Sequence, residues 1–258
     1  MSARVHPAAF VEKGARLGEG VVIGPGAVIG EHVTIGDGTR VDSHALVTGW
    51  TTIGRDCHIH HGAVLGSPPQ DLKYTNEPSF LVVGDHTVCR EYMTANVATE
   101  PGFTTRIGSH CLLMAYSHVA HNCCVGDRVI LANAVQMAGY VTVDDWAIVG
   151  GGTVVHQFTR IGRHAMIGGG SRISQDIAPF VKSAGSPPRN AGINSIGLER
   201  RGFSKPVRDA LDRAYRLFFR GGATAGQAVK DIRAELPGIA EVEHFARFCE
   251  TSVRGISR

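Results

Sequence analysis

Residues 21–36 decide the fold, and they read Val21-Val22-Ile23-Gly24-Pro25-Gly26-Ala27-Val28-Ile29-Gly30-Glu31-His32-Val33-Thr34-Ile35-Gly36. Ile23, Ile29 and Ile35 recur at intervals of six, and a glycine follows each of them. A helix repeats every 3.6 residues and a strand every two, so a strict period of six fits neither. This period is typical of the hexapeptide repeat of a parallel β-helix.

The repeat continues through most of the chain. Counted in sixes from Val5 to Ile173, the positions are apolar except at Asp71, Glu77 and Pro101. The fourth residue after each aliphatic is usually small or β-branched, so we expect it to pack inside the prism. The glycine that often follows the aliphatic should supply backbone conformations that a bend requires. Three hexads make a triangular coil of about 18 residues, so residue i should lie below residue i+18.

These patterns predict two domains and two loops. Residues 1–182 should form an all-β parallel β-helix, interrupted by loops at 66–82 and 96–106. The first of these loops contains Pro68, Pro69 and Pro78, which cannot donate hydrogen bonds to a sheet. A long ordered loop in such a scaffold often carries function.

Residues 183–258 change to helical periodicity and should form a small C-terminal helical domain that covers one end of the prism. We expect Ser204 to cap the first helix, and Thr224 with Gln227 to form a capping box for the second. A third helix should run from near Val242 to Val253.

Composition favours a soluble globular protein, with 258 residues of which 43% are hydrophobic and 19% charged. No apolar run approaches the roughly 18 residues of a membrane span, and the N-terminus has no signal-peptide core. We therefore expect a cytoplasmic protein without a membrane span. Cys57, Cys89, Cys111 and Cys123 fall on inward positions, which predicts buried thiols and neither disulfides nor a metal site.

Charge is uneven along the chain. Residues 182–258 contain 14 Lys and Arg against 8 Asp and Glu, whereas residues 1–181 contain 12 against 15. This excess indicates either an acidic partner at the C-terminal domain or simply a solvated helix surface. His58, His60 and His61 form a second local cluster, which we interpret as turn and surface histidines.

The stacking rule places the candidate site. His121, Gly139 and Gln157 are 18 residues apart and should form one column, with the glycine leaving a cleft between two polar side chains. Asn122, Tyr140 and Phe158 should wall this cleft, and residues 150–152 should lie under residues 168–170 as a floor of glycines. His121 is either a surface histidine or a general base, since imidazole titrates near neutral pH.

The chain resembles the acyl-carrier-protein-dependent UDP-N-acetylglucosamine O-acyltransferases of lipid A biosynthesis. The motifs that carry the resemblance are the hexads, the loop Gln70-Asp71-Leu72-Lys73-Tyr74, the segments His118-Val119-Ala120-His121 and Val155-His156-Gln157-Phe158, and Arg200-Arg201-Gly202-Phe203-Ser204. The resemblance implies a left-handed helix, a homotrimer with active sites between subunits, and no cofactor, metal or nucleic-acid partner. It also implies that acidic acyl carrier protein docks on the basic C-terminal region.

The resemblance further implies roles for individual residues. His121 would be the general base for the sugar 3-hydroxyl, and the Gly139 N–H would stabilise the oxyanion. Gly169, with Met166, would set the acyl length. Substrate-binding positions would be Gln70, Asp71, Lys73, His118, Asn122, Tyr140, His156, Gln157, Asn194, Arg200 and Arg201, of which Asp71 and Lys73 would reach the sugar from an adjacent subunit and the last three would bind the nucleotide.

Four positions depart from the family pattern. Asn122 replaces an aspartate, Asn96 and Tyr140 replace histidines, and Ile196 replaces a glutamate. Without a carboxylate beside it, His121 should be a weaker base, which leads to the hypothesis that the acceptor is a 3-amino sugar nucleotide. Two further alternatives are a zinc-dependent hydratase of the γ-carbonic-anhydrase kind, with zinc bound by His118 and His121, and an inactive paralogue.

Overall fold

The computed structural model describes residues 2–257 and shows a three-sided prism of short strands followed by helices. The strands are β1 (Arg4–Val5), β2 (Phe10–Val11), β3 (Arg16–Leu17), β4 (Val22–Ile23), β5 (Val28–Ile29), β6 (Thr34–Ile35), β7 (Arg40–Val41), β8 (Leu46–Val47), β9 (Trp50–Ile53), β10 (His58–Ile59), β11 (Val64–Ser67), β12 (Phe80–Val83), β13 (Val88–Cys89), β14 (Thr94–Asn96), β15 (Thr104–Ile107), β16 (Leu112–Leu113), β17 (His118–Val119), β18 (Cys124–Val125), β19 (Ile130–Leu131), β20 (Gln136–Met137), β21 (Thr142–Val143), β22 (Ile148–Val149), β23 (Val154–Val155), β24 (Arg160–Ile161), β25 (Met166–Ile167), β26 (Arg172–Ile173), β27 (Val181–Gly185) and β28 (Pro188–Ile193).

Every third strand joins the same sheet, which gives the prism its three faces. Sheet A contains β1, β4, β7, β10, β13, β16, β19, β22, β25, β27 and β28; sheet B contains β2, β5, β8, β11, β14, β17, β20, β23 and β26; sheet C contains β3, β6, β9, β12, β15, β18, β21 and β24. Strands of the prism pair in parallel, and His118 lies beside Gln136 and Val119 beside Met137. The parallel β-helix and its 18-residue register are therefore confirmed.

The two loops interrupt this register. His58 pairs with Val88, and Thr94 pairs with His118, so the i+18 rule is wrong across each insertion. The loops are also shorter than predicted, because β11 and β12 leave only residues 68–79 between them and β14 and β15 leave residues 97–103. The extra strand residues at these boundaries continue the ladders of sheets B and C.

Stacked aliphatic side chains form the core. Ile23, Ile29 and Ile35 are at most 1% exposed, and the small residues Ala27 and Val33 between them are fully buried. Truncating such an isoleucine to alanine typically costs about 2–5 kcal/mol, because a packed interior relaxes only partly around the cavity. The inward positions predicted from the hexads are confirmed from Val21 onwards, whereas Val5 in the first coil is 42% exposed.

The glycine that follows each aliphatic residue is required for a different reason from the one predicted. Positive φ angles fall two residues later, where Gly26 has φ 69° and Asn122 has φ 59°. The glycine itself is required by the close approach of successive coils: a Cβ on Gly36 would lie 2.7 Å from the carbonyl carbon of Gly54. Coil spacing, rather than the bend, selects glycine there.

The C-terminal end of the prism is covered. Strand β27 pairs in parallel with β25 and antiparallel with β28, so sheet A extends beyond residue 182. The helices that follow are α1 (Ser195–Arg200), α2 (Lys205–Arg220), α3 (Ala225–Glu235) and α4 (Ala240–Glu250). Phe180 at the end of the prism and Phe218 and Phe245 on the helices are each 1% exposed, which joins the two parts through a shared apolar core.

Details of the helices differ from the sequence predictions. Thr224 accepts a hydrogen bond from the Gln227 amide, but Ser204 makes no capping hydrogen bond with its side chain. Val253 lies beyond α4 and is 97% exposed, so the predicted third helix ends earlier. Among residues 2–257, none of the helices combines the length and the apolar character needed to cross a membrane. Five cysteines are buried and Cys124 is exposed, and all six are free thiols.

Candidate active site

The three corners of the prism differ chemically. The B–C corner, between sheets B and C, carries His121, Gly139 and Gln157 in successive coils. The C–A corner carries Trp146 and His164, and the A–B corner carries the glycines of residues 150–152 and 168–170. A ligand that contacts more than one kind of corner must therefore cross a face of the prism or the boundary between two chains.

At the B–C corner, His121 lies directly against Gly139. A Cβ on Gly139 would be 2.3 Å from Cε1 and 2.5 Å from Nε2 of the imidazole, so only glycine leaves room for this ring. A cleft of about 420 Å³ opens beside it. Its lining includes Gln70, Asn96, His118, His121, Gln136, Gly139 and Val154.

The Gly139 N–H is available to an anion. Within residues 2–257 this amide has no hydrogen-bond acceptor. At the corresponding turn position of the C–A corner, the Asp127 amide donates to the Asp145 carboxylate at 2.9 Å, and the Ser109 amide donates to Asp127 at 2.7 Å. The repeat thus aims this amide at an external oxygen, and at Gly139 the oxygen can come from a ligand.

Asn122 fixes the orientation of the catalytic candidate. Nδ1 of His121 lies 3.0 Å from the Asn122 side-chain oxygen, which also accepts the Thr99 backbone N–H at 3.0 Å. Because an amide oxygen only accepts hydrogen bonds, His121 must carry its proton on Nδ1. The Nε2 lone pair is then free on the side that faces Gly139.

The carboxylate of Glu100 lies on the far side of Asn122 from His121. The Asn122 side-chain nitrogen donates to Glu100 Oε2 at 2.7 Å, the Thr99 hydroxyl donates to the same oxygen at 2.8 Å, and the Tyr140 hydroxyl donates to Glu100 Oε1. The Tyr140 hydrogen bond is the largest cause that holds the pKa of Glu100 below its usual value. Burial first, and then Glu100, raises the pKa of Tyr140.

His118 lies in the same cleft as His121 and has a separate partner. Its Nδ1 is 2.7 Å from the Thr94 hydroxyl. Burial, and secondarily the neighbouring His121, lowers the pKa of His118, so its imidazole is neutral at physiological pH.

The Gln70 loop closes the B–C corner from outside. Asp71, Lys73, Glu100, Tyr140 and Gln157 line a second cleft of about 550 Å³. A single chain thus already brings Asp71 and Lys73 to the B–C corner, without the adjacent subunit that the resemblance implied.

Asn96 anchors the start of this loop. Its side-chain nitrogen donates to the Pro68 carbonyl at 3.0 Å, and the residue is 3% exposed. His156 is exposed on the edge of the corner, where its Nδ1 lies 3.0 Å from the Gln157 carbonyl.

The C–A corner holds the arginine cluster. Arg201 donates to His164 Nδ1 at 2.9 Å and stacks over Trp146 at 5.0 Å. Asn194 caps α1 and donates to the His164 carbonyl at 3.1 Å. Burial, together with Arg201 and Arg163, lowers the pKa of His164 to about 3.

Two more predicted residues sit on α1. Arg200 and Ile196 are exposed on this helix. All of these α1 and C–A residues lie at a different corner from His121, so one chain does not unite the two predicted parts of the site.

The A–B corner is bare and has an apolar rim. Gly169 lies over Gly151, because a Cβ on Gly169 would be 3.0 Å from the Gly151 carbonyl oxygen. Met166 on sheet A is 42% exposed and Val154 on sheet B is 44% exposed. The face of sheet B between this corner and His121 can therefore accommodate an extended apolar chain.

Two of the histidines that the sequence analysis interpreted as turn and surface residues, His58 and His60, form a polar cluster with Asp42. Asp42, His58 and His60 offer ligand atoms within 4.8 Å of one another. Arg40 donates to Asp42 at 2.6 Å, and Arg90 donates to Glu91, which lies 3.4 Å from His60. Two guanidinium groups thus already neutralise the carboxylates of this cluster.

Sequence reasoning missed three partners of the predicted residues: Glu100, Thr99 and His164. The first two lie in a loop outside the hexad register, where the i+18 rule has no meaning. His164 was detectable as an aromatic position 18 residues after Trp146.

Comparison with known proteins identifies the class. The family described as bacterial transferase hexapeptide (six repeats) matches residues 2–37, 32–67 and 104–139. The family described as UDP N-acetylglucosamine O-acyltransferase, domain 2, matches residues 176–257. A left-handed parallel β-helix with a histidine-lined cleft and this C-terminal domain defines a hexapeptide-repeat acyltransferase.

Full-length relatives narrow the class to one family. The acyl-[acyl-carrier-protein]–UDP-N-acetylglucosamine O-acyltransferase of Thiobacillus denitrificans is 48% identical over 99% of this chain and 100% of its own length. The Burkholderia lata enzyme of the same name is 47% identical, with 99% of each chain covered. This chain belongs to that family.

Solved structures agree with this assignment. The UDP-N-acetylglucosamine acyltransferase of Bacteroides fragilis has a TM-score of 0.96 at 38% identity, covering 98% of this chain and 99% of its own. The UDP-N-acetylglucosamine O-acyltransferase of Moraxella catarrhalis has a TM-score of 0.94 at 37% identity, with the same coverage.

Proposed function

We propose that this chain transfers a 3-hydroxyacyl group from acyl carrier protein to the 3-hydroxyl of UDP-N-acetylglucosamine, the first step of lipid A biosynthesis. The observation that carries the proposal is the contact between His121 and Gly139. It combines a base nitrogen and an unpaired backbone N–H within one cleft. Membership of the family supplies the class of donor and acceptor.

The geometry supports a general-base mechanism. Nε2 of His121 takes the proton of the sugar 3-hydroxyl while the oxygen attacks the thioester carbonyl carbon. The Gly139 N–H stabilises the tetrahedral oxyanion. When the carbon–sulfur bond breaks, the protonated imidazole returns its proton to the departing thiolate of the carrier protein.

A hydroxyl is the better supported acceptor. The hypothesis of a 3-amino sugar arose because Asn122 leaves no carboxylate directly beside His121. Glu100 restores a carboxylate one residue behind Asn122, and the curated relatives are named O-acyltransferases. The same relatives do not favour a zinc hydratase or an inactive paralogue.

The remaining substrate contacts follow from the three corners. Gln70, Asp71, Lys73, His118, His156 and Gln157 would bind the sugar and the acyl carbonyl at the B–C corner. Asn194, Arg200 and Arg201 would bind the nucleotide, since guanidinium forks suit a pyrophosphate. Gly169 and Met166 would receive the end of the acyl chain.

A homotrimer would complete this site, because it lets the C–A corner of one chain face the B–C corner of the next. Acidic acyl carrier protein would dock on the C-terminal region, although Lys205, Arg208, Arg213, Arg216 and Arg233 already pair with acidic side chains there. Cytoplasmic location remains a prediction from the sequence.

The test is an acyl-transfer assay with hydroxyacyl carrier proteins and two acceptors, the 3-hydroxy and the 3-amino sugar nucleotides. We expect turnover on the hydroxyl acceptor and a loss of at least about 100-fold in kcat for H121A, the range expected for removal of a general base. Turnover on the amine alone would replace the proposed acceptor. Full activity of H121A would refute the mechanism.

A further inference from the structure

We propose that Glu100 is a positioning residue for His121. Its carboxylate acts through the Asn122 amide and stabilises the His121 imidazole when that imidazole becomes protonated. The inference rests on the proposed function, because it concerns the protonated state of the general base. The juxtaposition that carries it is the continuous chain from His121 Nδ1 through the Asn122 side chain to Glu100 Oε2.

The Asn122 amide has only one orientation that satisfies its neighbours. Its oxygen accepts the Thr99 backbone N–H at 3.0 Å, and its nitrogen donates to Glu100 at 2.7 Å. A flipped amide would place its nitrogen against the Thr99 N–H and its oxygen against the Glu100 carboxylate. Glu100 and Thr99 therefore hold the amide oxygen towards His121, which fixes the tautomer.

Glu100 is charged in this arrangement. Donors from Asn122, Thr99 and Tyr140 all point at its two oxygens. Hydrogen bonds of this kind favour the ionised carboxylate, in agreement with its lowered pKa. The negative charge polarises the Asn122 amide, and hydrogen bonds in such a chain reinforce one another.

The neighbouring residue types fit this relay. Aspartate at position 122 would place a second carboxylate within hydrogen-bonding distance of Glu100, where two like charges repel. Asparagine avoids the repulsion and transmits the charge of Glu100. Tyr140 supplies the Glu100 carboxylate with another donor and packs edge-on against the His121 ring at 5.4 Å. Asn122 and Tyr140, two departures from the family pattern, thus both contact Glu100.

The experiment moves the negative charge from position 100 to position 122 and preserves the shape of both side chains. E100Q removes the charge, and the double variant N122D/E100Q returns a carboxylate directly beside His121. We expect E100Q to lower kcat/KM for the hydroxyl acceptor about tenfold, since hydrogen bonds to charged groups contribute on this scale. The double variant should recover most of this loss.

The pH profile separates positioning from mere packing. With less negative charge nearby, an imidazole loses its proton more readily, so the acidic limb of kcat/KM in E100Q should move to lower pH. It should return to higher pH in N122D/E100Q. E91Q removes a carboxylate that pairs with Arg90 and lines neither cleft. It serves as the matched control and should leave both the rate and the acidic limb unchanged.

Each outcome decides the matter. An active wild type whose kcat/KM and acidic limb are unchanged in E100Q overturns the positioning role and leaves the proposed function intact. A double variant no better than E100Q, with thermal midpoints equal to that of the wild type, also overturns it. A wild type inactive on both acceptors overturns the proposed function and the positioning role together.

Discussion

Gly139 is the residue on which the geometry of the candidate site depends most directly. Because it has no side chain, it leaves room for the His121 ring, and its backbone N–H has no hydrogen-bond acceptor among residues 2–257. At the C–A corner, by contrast, the equivalent amides of Ser109 and Asp127 donate to carboxylates of the neighbouring coils. A side chain at this position therefore affects both the base and the oxyanion donor.

We predict that G139A lowers kcat by about 10- to 100-fold, because the added Cβ would collide with Cε1 and Nε2 of His121 and a small misplacement of a reacting group has an effect of this size. The ring can swing away, so the fold should be retained. Steady-state kinetics and a thermal melt check this together. G226A, where nothing lies within 4 Å of the new Cβ, is the matched control. Unchanged kcat in G139A would contradict the predicted packing.

At the scale of an element, the A–B corner is formed by residues 150–152 and, in the next coil, by residues 168–170. We predict that G169M shifts acyl selectivity towards shorter 3-hydroxyacyl chains, because its side chain would fill the space between Met166 and Val154. Competition among carrier proteins bearing acyl groups of increasing length measures this shift. G226M, at a glycine with no neighbours within 4 Å and no positive φ, should keep the wild-type preference. An unaltered preference in G169M would place the acyl end elsewhere.

The helix α1 contacts the prism through a titratable residue, His164. His164 accepts a hydrogen bond from Arg201, and burial beside Arg201 and Arg163 lowers its pKa to about 3 from an ordinary 6.5. A histidine with a depressed pKa binds fewer protons in the folded than in the unfolded state. Its contribution to stability is thus complete above about pH 6.5 and declines as the pH falls towards 3.

We therefore predict that the thermal midpoint of the wild type falls between about pH 7 and about pH 5. H164Q keeps an acceptor for Arg201 without a titrating ring, so its midpoint should fall less. Differential scanning calorimetry across this range measures both slopes. H110Q, which alters an exposed histidine at an equivalent corner, should retain the wild-type slope. Equal slopes in H164Q and the wild type would show that His164 is not responsible.

Sequence predicted the elements well wherever the hexads are continuous. The column of His121, Gly139 and Gln157 needed only the period of 18, because parallel pairing with short turns leaves one possible register. Glu100 could not be found in this way, since it lies in a loop whose path depends on Asn96, Thr99 and Tyr140 rather than on a repeat. The excess of arginines was visible, but their pairing within the helices depends on helix packing that periodicity does not determine.

For the whole molecule, the decisive fact is that His121 and the arginines lie at different corners of one prism. In the proposed site, one UDP-sugar contacts both the base and the arginines, and it would do so between the corners of two neighbouring chains. In a closed trimer each of the three interfaces is equivalent. Every interface would then take its base from one subunit and its arginines from the next.

This arrangement predicts that two inactive variants complement each other. H121A lacks the base and R200A/R201A lacks the arginines, but an interface between intact His121 of one variant and intact arginines of the other is complete. Random mixing at equal levels makes about one interface in four complete, so co-expression should restore about a quarter of wild-type kcat. Co-expression of H121A with H121A/R200A/R201A should restore nothing. If mixed trimers are isolated and remain inactive, or if the wild type sediments as a monomer, base and arginines do not meet across a subunit boundary.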